Sequence, residues 1–97
     1  MAKITNHQRW QVYTKALYFL ERDLKENNFV HSICTALSKA YMLIMREYLP
    51  AIDIAAIFHE LNEFKPPHLT IDDYWWAKTT DGHTERIKVL KQIIKNL

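Results

Sequence analysis

A chain of 97 residues with a single glycine, Gly82, has few ways to turn tightly. Two-residue hairpins lean on Gly, Asn or Asp to reach positive φ, and average glycine usage is roughly 7%. One Gly and three Pro therefore predict long helices and few turns. The length predicts a single helical domain over 1–97. A domain this small buries only roughly 60–65% of its unfolded surface, so self-association would add to a modest core.

Hydrophobic spacing sorts the chain into four helices, near 6–26, 31–47, 53–64 and 81–96. Thr5 and Gln8 have capping-box spacing at the start of the first. Trp10, Tyr13, Leu17, Leu20 and Leu24 follow at alternating intervals of three and four, and Glu21 precedes Lys25 by the four residues that favour an ion pair. Asn27-Asn28 is the expected break. In the second helix Ile33, Leu37, Ala40, Ile44 and Tyr48 share a stripe. Ala40 to Met45 is apolar almost all the way round, with Met42 and Met45 as adaptable fillers, which predicts a central helix or one covered by a second subunit. Pro50 separates it from a third helix with Ile54, Ile57, Phe58, Leu61 and Phe64 at helical spacing and Asp53 as its cap. Pro66-Pro67 ends that helix. Residues 65–80 read as one long irregular segment, with Asp72-Asp73 capping a short turn. The last helix starts at Thr80 or Asp81, buries Ile87, Leu90 and Ile94, and carries Lys88, Lys91 and Lys95 on another face. The fold class is thus all-α, a compact four-helix domain, orthogonal or up-down, with an irregular aromatic segment before the last helix. The expected core is Trp10, Tyr13, Leu17, Leu20, Ile33, Leu37, Ile44, Ile57, Phe58, Leu61, Ile87, Leu90 and Ile94.

Charge narrows the function. The formal net charge is +2, and nucleic-acid modules are usually far more basic, so nucleic acid is not the expected partner. Residues 1–46 carry seven Lys/Arg and three Asp/Glu, 47–73 one and six, and 74–97 five and two, which gives local charges of +4, −5 and +3. Opposite faces of this kind suit self-association or the steering of a charged partner. The lone cysteine, Cys34, excludes an intramolecular disulfide, and no Cys/His framework for structural zinc accompanies it. A reducing cytosol is the expected compartment. Met1 to Trp10 lacks a signal-peptide apolar core, and the Ala40–Met45 run is too short to span a bilayer.

Tyr74-Trp75-Trp76 fits no amphipathic pattern. Neighbouring helical side chains lie about 100° apart, and neighbouring strand side chains oppose each other, so three rings in a row cannot all face one core. At least one is expected at the surface, where Trp and Tyr supply large contact area for little lost side-chain freedom. Trp75 and Trp76 to stack, Lys78 and Arg86 to hold anions, and Gly82 to admit a ligand near the free amides of the last helix complete the candidate binding site of Tyr74, Trp75, Trp76, Lys78, Gly82 and Arg86.

Other chemistry is thinner. His59-Glu60-Leu61-Asn62-Glu63 is half of a zinc-protease motif, with Glu63 where the second His belongs and no third ligand in view. Cys34 follows His31 by three residues near a helix start, a setting that activates a thiol, against the commoner outcome of a buried structural Cys. No glycine-rich phosphate loop is present. Neither a catalytic residue, a cofactor nor a metal is expected.

Ile33-Cys34-x-x-Leu37, a proline-bearing link, Tyr74-Trp75-Trp76 and then Gly82-x-x-x-Arg86-Ile87-x-x-Leu90-x-x-x-Ile94 resembles small helical proteins of tailed bacteriophages and prophages over roughly residues 29–97. In those proteins a proline usually follows the aromatic pair, where this chain has Ala77. The resemblance implies a phage-type accessory protein of the bacterial cytoplasm that binds a host factor or traps a signalling molecule. Three functions follow in order: a non-catalytic protein that sequesters or inhibits a bacterial host protein; a sponge that traps a nucleotide or cyclic nucleotide at an oligomer interface; and a metal-dependent hydrolase around His59. A homo-oligomer, most simply a dimer, is expected.

Overall fold

Each helix in this chain is opened by a small polar side chain that binds its free backbone amides. The computed structural model describes residues 4–47, 53–76 and 78–97, without the side chains of 45–47. Among them are five helices and no strand: α1 Asn6–Glu26, α2 Ile33–Glu47, α3 Ile54–Glu63, α4 Ile71–Trp75 and α5 Thr80–Lys95. The Thr5 hydroxyl accepts the Gln8 amide at 3.1 Å while the Gln8 side chain accepts the Thr5 amide at 3.0 Å, completing the expected capping box. Ser32 and Thr35 make the same reciprocal pair at the start of α2. Asp53 caps α3 through the Ala56 amide. α1 stops at Asn27, whose φ of 51° is the left-handed conformation that Asn tolerates.

The all-α class holds, and the four long helices lie within two residues of their expected bounds. The segment expected to be irregular contains α4. Thr70, not Asp72 or Asp73, caps it by accepting the Asp73 amide, and the two acids occupy its first turn. The cap of α5 is Thr79 rather than Thr80 or Asp81; its hydroxyl accepts the Gly82 amide. Tyr48, Pro50, Ala77 and the Met45 side chain lie outside the described residues.

α1 is the hub and packs most extensively against α2 and α5. Facing two neighbours demands a broad inward stripe, and Val12, Tyr13, Ala16, Phe19, Leu20 and Asp23 supply it. That stripe is rotated from the expected seam. Tyr13 and Leu20 belong to both, Leu17 and Leu24 are left half-buried at the edge, and Trp10 is 50% exposed and stacked beside His7. Trp10 is therefore not a core residue. Of the remaining expected core, Ile33, Leu37, Ile44, Ile57, Leu61, Ile87 and Leu90 are buried, and Phe58 and Ile94 partly so. In α2 the apolar run splits by face: Ala40 and Ile44 are buried, Tyr41 and Leu43 half-buried, and Met42 exposed.

Polar contacts fix the third helix and the link after it. Arg9 Nε bonds both Glu60 carboxylate oxygens, at 3.1 and 2.9 Å, and the Tyr13 hydroxyl donates to one of them at 3.0 Å, joining α1 to α3. Burial and then the Glu60 carboxylate raise the Tyr13 pKa, so the phenol stays a donor. Lys65 Nζ donates to the Leu69 carbonyl at 2.6 Å and to that of Pro66 at 3.3 Å, folding the proline link back on itself. Glu21 lies 3.9 Å from Lys91 of α5, an exposed pair between helices in place of the expected Glu21–Lys25 pair along α1.

The rotated stripe has a direct consequence for stability. Leu20→Ala is expected to cost about 2–5 kcal/mol in urea unfolding, while Trp10→Ala should stay within about 1 kcal/mol of the parent.

Candidate functional site

The three adjacent aromatics are divided by helical geometry. Tyr74 is fully buried, Trp75 half-buried and Trp76 is 59% exposed. At about 100° per residue, Trp76 sits roughly 200° round the axis from Tyr74 and Trp75 lies between them. Burying the first ring thus sends the third outward. The Tyr74 hydroxyl donates to the Leu61 carbonyl of α3 at 3.0 Å, and burial raises its pKa. Trp75 packs on Phe58 with ring centroids 5.6 Å apart, and its indole N–H donates to Asn62 Oδ1 at 3.1 Å. Trp76 and Ile71 are left as the exposed large apolar groups of this segment. Asp72 is four residues before Trp76 on the same side of the turn, and Lys78 is exposed just beyond it.

Arg86 holds this helix in place. Its guanidinium is wholly buried, and Nε and Nη2 donate to the carbonyls of Tyr74 and Asp73. These are among the last carbonyls of α4, which have no acceptor role within so short a helix. A cation at a helix carboxyl end also meets the negative end of its dipole. Burial lowers the Arg86 pKa, against the influence of Tyr74 and Asp73, yet arginine remains charged throughout the working range of pH. Nη1 has no hydrogen-bond partner and lies over Gly82. A Cβ at residue 82 would overlap Nη1 and stand 2.9 Å from Thr79 Oγ1 and 3.1 Å from Arg86 Cζ. The single glycine is the space that the guanidinium occupies.

The six residues expected to form a binding site therefore divide into two groups. Trp76 and Lys78 are exposed and Trp75 is partly so, whereas Tyr74 and Arg86 face inward and Gly82 makes room for Arg86. Tyr74 and Arg86 do not offer their side chains to a partner; they fix the helix that does. Open grooves of about 730 Å³ along α1, floored by Leu17 and Tyr18, and about 280 Å³ beside Phe64, Ile93 and Leu97 lie away from α4.

A second polar cluster went unseen in the sequence. Asp23 of α1 is buried together with His31, from the α1–α2 link, and His83 of α5. Asp23 Oδ2 accepts the His31 amide at 2.7 Å; His31 Nδ1 lies 3.1 Å from both carboxylate oxygens, and His83 Nε2 lies 3.4 Å from Oδ2. Burial alone would raise the Asp23 pKa, but the hydrogen bonds from His31 and His83 outweigh it and lower it, so the carboxylate is charged. His83 Nδ1 is 3.1 Å from the Thr79 carbonyl, which only accepts, so this nitrogen carries a proton. Phe29 meets His83 edge-on and Phe19 stacks on His31. The participants come from three separated segments, and no spacing within any one of them signals the meeting.

The remaining sequence candidates stand apart. His59 Nε2 is 3.2 Å from Glu63 on an exposed face of α3, and among the described residues no group of three or more His, Cys, Asp and Glu side chains is placed to hold a metal. His31 faces Asp23 instead of activating Cys34, and burial, partly offset by a hydrogen bond with Ser38, raises the thiol pKa. The Cys34 thiol is thus protonated and a poor nucleophile. No family model, curated protein or solved structure matches this chain. No described helix is long and apolar enough to cross a membrane.

The Gly82–Arg86 contact has a measurable sign. Ala in place of Gly normally favours a helix by about 1 kcal/mol. Here Gly82→Ala should instead destabilise by about 1–3 kcal/mol through overpacking. In an Arg86→Met background the same change should become neutral or stabilising. A double-mutant cycle in urea measures the reversal.

Proposed function

We propose that this protein is a non-catalytic, phage-type accessory protein that captures a bacterial host protein through the exposed face of α4 and so sequesters or inhibits it. The observation that carries the reading is a largely exposed Trp76 on a helix clamped from beneath by Tyr74 and Arg86. A large aromatic held on a rigid support is an economical anchor, because little motion remains to be lost when a partner covers it. Ile71 and the half-buried Trp75 extend the apolar area, and Asp72, Asp73 and Lys78 supply a polar rim. The resemblance to small phage proteins supplies the setting, a bacterial cytoplasm in which such capture serves counter-defence.

A nucleotide sponge is the second reading, supported by exposed Trp76 and Lys78 near the start of α5. It ranks lower because the guanidinium best suited to a phosphate, that of Arg86, is buried on main-chain carbonyls. Exposed Met42, flanked by half-buried Tyr41 and Leu43, supports the proposal that a second copy packs on α2. No contact of His59 favours the hydrolase reading.

Pull-down from bacterial lysate with mass spectrometry of both proteins and small molecules distinguishes the two readings. Trp76→Ala should abolish capture of the bound protein with little change in melting temperature, since the ring is mostly solvated. Capture that survives in the folded variant moves the interface elsewhere. A nucleotide panel should leave the melting temperature unchanged, whereas a trapped nucleotide at 100 times its dissociation constant would add about 2.7 kcal/mol of stability.

A further inference from the structure

The buried carboxylate shared by two histidines lies one helical turn from the arginine that clamps α4. His83 and Arg86 are three residues apart in α5, both without solvent exposure. Around His83 stand Asp23 from α1, His31 and the Phe29 ring from the α1–α2 link, and the Thr79 carbonyl and Arg86 from its own helix. Behind Arg86 lie Tyr74 and the Asp73 carbonyl of α4, and Lys39 of α2 closes the far side of His31 at 3.4 Å from Nε2. This pocket of charge contains one carboxylate and, already, one buried guanidinium with no carboxylate partner among the described residues.

We infer that protonation of His83 unlatches the first turn of α5 and with it α4, so that acid turns off binding at the aromatic face. The inference rests on the binding reading above and adds its regulation.

The geometry gives the mechanism. In the neutral ring Nδ1 donates to Thr79, and Nε2, at 3.4 Å from Asp23 Oδ2, lies beyond the usual hydrogen-bond range. A proton added at Nε2 competes for Oδ2, which now receives the His31 amide at 2.7 Å and holds the α1–α2 link. It also places a second buried cation beside Arg86, in surroundings that strongly disfavour unpaired charge. Opening the α5 amino terminus hydrates both cations and takes the guanidinium off the Tyr74 and Asp73 carbonyls, which frees Trp75 and Trp76. The core formed by Val12, Ala16 and Leu20 with Ile33 and Leu37 does not include these groups and remains.

The direction of the pH effect follows from linkage. Burial, with Arg86 as a lesser contributor, holds the His83 pKa below its ordinary value, against the opposing pull of Asp23 and the Thr79 carbonyl. The latched state therefore takes up this proton less readily than the open one. Its stability is complete above the ordinary histidine pKa of about 6.5 and declines as pH falls below it. The lowered pKa of Asp23 acts in the same sense, but only below the ordinary carboxylate value of about 3.9. Between these values the effect belongs to His83.

The test uses the Trp10→Phe protein, in which Trp75 and Trp76 are the remaining indoles of the three. Between pH 8 and pH 4.5 its emission should shift to the red with a midpoint below about 6.5, while most of the helical signal at 222 nm persists. The His83 ring, followed by NMR in that same protein, should titrate with the same midpoint. His83→Gln should keep its emission unchanged down to about pH 4, where carboxylates begin to protonate. Flat emission in the Trp10→Phe protein, a separate midpoint for His83, an unchanged step in His83→Gln, or simultaneous loss of emission and helicity would each overturn the latch. The emission is read with no partner present, so such a failure leaves the binding reading intact. Capture that survives Trp76→Ala removes the binding reading and leaves the latch.

Discussion

A guanidinium without a carboxylate partner, buried between a glycine and the carboxyl end of a five-residue helix, holds the upper part of this molecule together. A helix as short as α4 has almost no stability of its own, because nucleation costs more than one turn of hydrogen bonds returns. It persists because its ends and one side are satisfied from outside: Thr70 at its start, Arg86 at its carbonyls, and Leu61 through the Tyr74 hydroxyl. Each contact needs a neighbour already in position. The chain meets this demand with α5, whose first turn is set by Thr79 and whose Gly82 leaves the guanidinium room to reach back.

The parts of this arrangement that could be read in the sequence are those set by local rules. The Thr5–Gln8 capping box, the Asp53 cap and the break at Asn27 depend on residues within four positions of one another, and all three are present. The exposure of an indole was also legible, since three consecutive rings cannot share a face whatever surrounds them. Trp10 was not: its spacing fits an apolar seam, but the orientation of α1 is chosen by two neighbours at once, and that choice leaves the ring at the margin. The α4 helix was hidden for a related reason. Its five residues have no stable periodicity to detect, and its stability comes from Arg86, twelve residues beyond Tyr74.

Arg86 also shows how one residue type supports opposite readings. An arginine near a helix amino terminus, a glycine and two tryptophans is a reasonable anion site by composition. Main-chain carbonyls of α4 meet the same donors, and nothing in the sequence marks carbonyls as the acceptor. The buried Asp23, with His31 and His83, was similarly invisible, because polar residues in amphipathic helices ordinarily face solvent and only the close approach of α1 and α5 encloses these.

Trp76 stands one residue past the last turn of a helix whose carbonyls are gripped by a buried side chain. Such a ring is a fixed protrusion and has little latitude to mould itself to what it meets. The burden of fit passes to the other molecule, which must bring a hollow of matching depth at the right angle. Recognition of this kind discriminates by shape before chemistry, and a target escapes it by filling the hollow with one larger side chain.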